Sequence, residues 1–389
     1  MKKFTCWYLC VLVIIACCSV IFLIVGPAAG AEPDEEKLLN KLKTQLGEED
    51  SVLGKVLDRF NFGLLIEVGA VYRDENEDGE DESDISLTTV EFGIEAVINE
   101  WVTGEVILLF EDPSFDDEDG SFDVDVGTIT IGNTDQFPLF AAVGKLYVPY
   151  GALLTHFPDD PLVDVPVTLT FGEINERALL MGFEMGGFSL SGYAFNGSVE
   201  ENGDDENQID SFGADANFTY ENEPNELTLQ IGASYLSNLA DTDGITDVIN
   251  DNAGGKVNDS VDGWAAYFSS SWRMFFLEAE YMAALDGFDA AELATKNGEG
   301  AKPAVWNIEI GFNYDWWRNL EVAFKYAGSD EAEGLTIPET RFGVALNQEI
   351  FDATIWSIGY LIDEFDDNVF DNGTEDDRQT LFTQIAIEF

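Results

Sequence analysis

The chain has 389 residues and a formal charge of −58, with 18 basic against 76 acidic side chains. That excess argues against nucleic acid as a partner, because phosphates have to be neutralised by lysine and arginine. Aromatic residues at 13% and apolar residues at 46% argue against a disordered acidic chain, which is poor in both.

Residues 1–31 read as an export signal. Lys2 and Lys3 form a positive start, an apolar run extends from Phe4 to Val25, and Ala29-Gly30-Ala31 is a small-residue cleavage site. Two other readings stay open. The apolar run is long enough for an uncleaved anchor, and Ile14-Ile15-Ala16-Cys17 has the form of a lipidation signal. All four cysteines (Cys6, Cys10, Cys17, Cys18) lie in this leader. After cleavage the charge is −60, and no disulfide, thiolate nucleophile or cysteine metal site is available.

Residues 32–60 follow as a helical segment. Leu39, Leu42, Leu46, Leu53, Val56 and Phe60 fall on the a and d places of a heptad, interrupted at Glu49. One reading is a short amphipathic helix lying on the rest of the molecule. The other is a periplasmic coiled coil that joins protomers into a homotrimer.

From Asn61 to Phe389 the period becomes two. Leu64, Ile66, Val68, Ala70 and Tyr72 alternate with Gly63, Leu65, Glu67, Gly69 and Val71, and residues 309–314 and 321–326 repeat the pattern. Many such runs, about ten residues long with aromatics at their ends, point to a transmembrane antiparallel β-barrel rather than a soluble sheet. Short connections (99–100, 186–187, 221–225, 273–274, 316–319, 349–352) alternate with long acidic ones (74–84, 113–120, 149–164, 199–207, 239–259, 286–303, 328–336, 364–376). That asymmetry belongs to short periplasmic turns and long outer loops.

About seventeen strand-like runs appear, and single-chain bacterial barrels have even counts. The surplus run is placed in residues 137–174, where Pro138, Pro149, Pro158, Pro161 and Pro166 crowd together. The expectation is therefore an all-β fold of sixteen strands over residues 61–389, in the outer membrane, surrounded by lipid and lipopolysaccharide. The last strand ends on Phe389, with Ile387, Ile385 and Leu381 on the same face. This resembles the C-terminal signature of bacterial barrel proteins, with Thr383 where a larger apolar residue is common.

Chemistry-bearing constellations are few. His156 is the single histidine, so a nucleophile system has one place to form, and no G-x-S-x-G elbow accompanies it. Asp74-Glu75-Asn76-Glu77-Asp78-Gly79 matches half a calcium loop, but Ile85 stands where the bidentate glutamate belongs. A solvated acidic turn is the simpler reading. No catalytic residue, metal ion or cofactor is assigned, and the chain is read as a non-enzyme. Pore-lining candidates are Lys145, Tyr147, Asp164, Glu173 and Arg177. Lys145 and Arg177, rare cations here, either pair with nearby carboxylates or face Asp164 and Glu173 across a constriction. The acidic surroundings predict a preference for cations or neutral solutes at low salt.

The string Val143-Gly144-Lys145-Leu146-Tyr147-Val148-Pro149-Tyr150-Gly151, then Asp160-Pro161-Leu162 and Leu169-Thr170-Phe171-Gly172-Glu173, resembles the LbtU-type siderophore porins. That family carries GK-x-Y-V-P-F-G, so Tyr150 stands for Phe. The resemblance implies an N-terminal coiled-coil-like segment, a sixteen-stranded barrel and uptake of ferric siderophores. A general cation or neutral-solute porin, and a plugged structural or adhesive barrel, are the alternatives.

Overall fold

In a bilayer every backbone donor and acceptor must be paired within the protein, and a sheet achieves this only by closing on itself. The computed structural model describes residues 59–75, 81–112, 120–155, 160, 163–202, 208–314, 318–365 and 377–389. The leader, nearly all of the helical segment, most of the Asp74–Gly79 stretch and His156 lie outside the described residues.

The first nine strands are β1 (Phe60–Glu75), β2 (Glu82–Asn99), β3 (Val102–Glu111), β4 (Ser121–Asn133), β5 (Phe137–Tyr147), β6 (Asn175–Met185), β7 (Phe188–Phe195), β8 (Glu200–Glu201) and β9 (Ser211–Asn222). The others are β10 (Leu227–Leu236), β11 (Lys256–Val257), β12 (Gly263–Trp272), β13 (Phe275–Ala284), β14 (Ala304–Tyr314), β15 (Leu320–Asp330), β16 (Thr340–Phe351), β17 (Thr354–Glu364) and β18 (Asp377–Glu388). Sixteen of them close into one barrel, each antiparallel to its chain neighbours, with β1 paired to both β2 and β18. The remaining two, β8 and β11, form a short parallel pair between two outer loops.

The alternation read from the sequence is the inside–outside alternation of the wall. On β1, Leu65 and Glu67 are buried inside while Phe62 and Val68 point outward and are exposed. The same outward set continues in Ile129, Leu179, Ile231, Ile310, Phe324, Phe342 and Ile385. These residues are the band that meets hydrocarbon. Aromatic pairs such as Trp272–Phe275 and Trp264–Tyr281 sit toward its two edges.

The alternation of short and long connections holds along the whole wall, with one turn added. Residues 134–136 join β4 to β5, closed by Gln136 N–H donating to the Asn133 carbonyl at 3.0 Å. Proline crowding conceals β5 in the sequence. Pro138 falls at a register shift between Gly132 and Asn133, where its missing N–H disturbs no ladder bond. The surplus run is thus the part after β5, residues 148–174, which leaves the wall.

That third long loop carries helix α1 (Val167–Gly172), and the fifth, residues 237–262, carries helix α2 (Asp243–Ala253). Both contribute to an apolar core inside the barrel. Val148, Tyr150, Phe171 and Ile174 from the third loop, and Leu239, Ile245 and Ile249 from the fifth, pack with Leu180, Phe195, Leu236 and Met282 on the inner wall. Phe288, Leu293, Leu335 and Ile337 extend this core into the next two outer loops. Among the described residues, none from β1–β4 belongs to it.

Candidate pore constriction

Leaving the wall after β5, the third loop crosses the lumen and is fastened to strands on the far side. The backbone N–H of Gly151 donates to Ser234 Oγ of β10 at 3.0 Å, and that of Ala152 to Glu280 Oε1 of β13 at 2.6 Å. Gly151 has φ +85°, and a Cβ there would run into Met282 and the Glu280 carboxylate. Only glycine fits such a close approach at positive φ. Further along, Val163 N–H donates to Glu309 Oε2 of β14 at 2.7 Å.

Asp164 makes the most distant attachment. Its carboxylate takes an ion pair from Lys325 of β15 and another from Arg341 of β16 at 3.1 Å. Eight steps around a ring of sixteen strands separate β5 from β15, so the loop spans the barrel. Lys325 also pairs with Glu309 at 3.1 Å, and Arg341 forks onto Asp363 of β17 at 2.6 and 2.9 Å. Arg378 of β18 donates to the same Asp363 at 2.8 Å. Signs therefore alternate along a network of three carboxylates and three cations, Glu309, Lys325, Asp164, Arg341, Asp363 and Arg378, in which Asp164 of the loop sits between the adjacent cations of β15 and β16. Buried charges need this kind of mutual satisfaction, since an unpaired one would cost several kcal/mol.

The sequence-predicted residues occupy other places. Lys145 and Arg177 face each other across β5 and β6, one pair beyond the exposed Val143 and Leu179. Lys145 Nζ donates to the Val124 carbonyl at 2.9 Å. The expected arrangement of these two cations opposite Asp164 is not what the structure builds; Asp164 takes its cations from β15 and β16. Tyr147 donates its hydroxyl to Asp125 Oδ1 at 2.8 Å, and Asn175 donates to the same carboxylate.

Glu173 caps the C-terminus of α1, and its carbonyl accepts the Asp243 N–H at the start of α2 at 2.9 Å. Burial, with the carboxylates of Asp243, Glu111 and Asp125 nearby, pushes the Glu173 carboxyl up to about 7. Burial and the charges of Glu176 and Asp247 raise Asp243 to about 6, with Lys145 opposing. The third and fifth loops thus meet at two acids, Glu173 half-buried and Asp243 exposed. Gly244 makes that meeting close, because a Cβ there would meet the Thr170 carbonyl of α1.

Sequence reasoning missed Glu309, Lys325, Arg341, Asp363 and Arg378. Their signal was present: charged side chains recur at inward register positions on five consecutive strands, in a chain with few cations. Reading it requires the pairing register, which single strands do not disclose.

Beyond β18, where the ring continues into β1, the wall changes character. The register places Glu67, Glu91, Glu95, Glu105 and Glu111 on the inner faces of β1–β3. Arg73 is the cation on those faces among the described residues, and it lies 3.8 Å from Glu82.

No family model matches the chain. A Coxiella burnetii protein named UPF0422 protein is 27% identical over 352 residues, covering 87% of this chain and 72% of the relative. The UPF0422 protein lpl2888 of Legionella pneumophila is 24% identical over 310 residues, and there the match spans only 55% of the relative's length. Among solved structures, Pseudomonas putida OprB matches with TM-score 0.57 at 11% identity, over 88% of this chain and 97% of that one. The anion-selective porin from Comamonas acidovorans gives 0.55 at 9%, over 85% and 99%. The outer membrane channel DcaP of Acinetobacter baumannii gives 0.53 at 13%, over 85% and 97%. These likenesses show the fold, a sixteen-stranded porin-type barrel.

Proposed function

We propose that this chain is an outer-membrane channel through which small hydrophilic solutes diffuse. The observation that carries the reading is the third loop, fastened across the lumen at Asp164, which narrows the barrel, while among the described residues none on β1–β4 joins the apolar core. A lumen lined by charge on one side and shaped by a fixed loop sorts solutes by size and charge. Export through a cleaved signal, a surround of lipid and lipopolysaccharide, and a homotrimer joined through residues 32–60 complete the proposal. The arrangement favours a channel over an enzyme. Proteoliposomes containing the protein should swell in sugars at rates that fall with solute size. Swelling no faster than in empty liposomes would refute the reading.

A ferric-siderophore channel is the second reading. It is favoured by one placement: the segments that resemble siderophore porins, 143–151 and 169–173, are the two flanks of the constriction loop. Growth of an iron-starved deletion strain on a ferric siderophore, restored by this gene and not by an unrelated porin, would support it. Equal rescue by both would leave only the general channel.

A further inference from the structure

We infer that Lys145 and Arg177 form a phosphate-binding site on the outside of the barrel wall, at the level of the outer leaflet, and that its ligand is the phosphorylated headgroup of lipopolysaccharide. The inference rests on the outer-membrane placement within the proposed function and is independent of conduction.

Register fixes the face. On β6, Arg177, Leu179 and Met181 are exposed, whereas Ala178 and Leu180 between them are buried. Opposite residues of an antiparallel ladder share a face. Lys145 of β5, paired with Arg177, therefore points outward like Val143, which is paired with Leu179. Leu146, the next residue, turns inward to the apolar core. The ladder also fixes the level. Its rows Leu139–Phe183, Ala141–Met181 and Val143–Leu179 are apolar, and Lys145–Arg177 is the first charged row above them. A short turn precedes β5 and a long loop follows it, so this row stands at the outer end of the band that meets hydrocarbon.

Charge points to an anion. The chain has 76 acidic side chains for 18 basic ones, yet among the described residues neither the Lys145 ammonium nor the Arg177 guanidinium is in an ion pair. Nearby carboxylates are engaged elsewhere. Glu176 accepts from Ser198 Oγ at 2.7 Å and from the Arg177 backbone N–H at 3.2 Å, and Asp125 accepts from Tyr147 and Asn175. Asp243 attracts Lys145 through space without forming an ion pair. Two cations set directly opposite each other repel, and an anion between them reverses that. Phosphate matches the pair, because a guanidinium fork engages two of its oxygens and an ammonium adds a point charge.

The surroundings point to a lipid. Lys145 Nζ leans toward β4 and donates to the Val124 carbonyl at 2.9 Å. Val124 and Phe122 on that strand are 50% and 64% exposed, so apolar surface continues beside the two cations. A ligand seated here sets its anionic group on Lys145 and Arg177 and its hydrocarbon against Val124, Val143 and Leu179. A lumenal solute has no use for such a site, whereas a phosphorylated amphiphile of the outer leaflet fits it.

The test is native mass spectrometry of the purified barrel in non-ionic detergent, titrated with bisphosphorylated lipid A and with the same lipid after enzymatic dephosphorylation. Wild-type protein should bind the phosphorylated form about 30-fold more tightly, as two headgroup cations allow. Lys145→Gln, Arg177→Gln should lose that preference and bind both lipids alike, with heat-modifiable migration showing that it has folded. Equal binding of the two lipids by wild-type protein overturns the inference without recourse to any variant. A folded variant that keeps the preference places the phosphate elsewhere and overturns it too. Displacement of the lipid by millimolar inorganic phosphate would show a free-anion site and overturn the lipid assignment. A barrel that binds the phosphorylated lipid as described but supports no sugar swelling overturns the channel reading and leaves this inference standing.

Discussion

Removing the Asp164 carboxylate tests how the constriction is held. In Asp164→Ala, Lys325 keeps Glu309 at 3.1 Å and Arg341 keeps Asp363 at 2.6 Å, so neither cation is abandoned. Breaking a buried pair outright costs about 3–5 kcal/mol, and the retained partners reduce this to about 2–3 kcal/mol. At about 1.4 kcal/mol per decade, the fraction of molecules with the loop off the far wall rises about 30- to 150-fold. The loop stays attached at Gly151 and Ala152, so the barrel itself should remain folded. Single-channel records should show added open-state noise and brief excursions to higher conductance. Hydrogen exchange around residues 163–174 should accelerate by a similar factor. Unchanged noise together with unchanged exchange would refute the view that Asp164 fastens the loop.

Three further outcomes follow from the same structure. Docked third and fifth loops hold protons on Glu173 (about 7) and Asp243 (about 6) that free loops, with carboxyl values near 4, release. Between about pH 4 and 7 docking therefore weakens as pH rises, and it stays weaker above that range; exchange corrected for intrinsic rates should be slower at pH 5 than at pH 8, with the difference abolished in Glu173→Gln, Asp243→Asn. Gly244→Ala should force α1 and α2 apart at the Thr170 carbonyl, costing about 1–3 kcal/mol, and protease access to the third loop should increase; equal resistance would show that the contact relaxes freely. Ile231→Arg, on the outward face of β10 and 60% exposed, should cost about 2–4 kcal/mol in bilayer folding titrations, whereas an unperturbed titration would place that face away from hydrocarbon.

The barrel was legible because its two governing signals are local. Period-two alternation reports a wall with unlike sides, and alternating connection lengths report unlike ends; neither needs knowledge of which strands are neighbours. β5 was obscured for a local reason too, since Pro138 looks like a strand breaker until the bulge opposite it is seen. The constriction was legible only in outline. Residues 148–174 could be recognised as leaving the wall, and Asp164 was singled out within them. Its partners could not be, because Lys325 and Arg341 lie more than 160 residues away and meet it only through closure of the ring. Lys145 and Arg177 are rare cations near the prolines, and the pairing register sets them opposite each other. The apolar core inside the barrel was equally hidden, because loop residues such as Leu239, Ile245 and Ile249 carry no periodic mark of an interior when read alone.

The claim on which the rest depends is that this barrel conducts. Purified protein, refolded and added to a planar bilayer, should insert in discrete steps of uniform conductance in potassium chloride. Protein that inserts as a folded, heat-modifiable barrel yet leaves the membrane electrically silent would contradict the account.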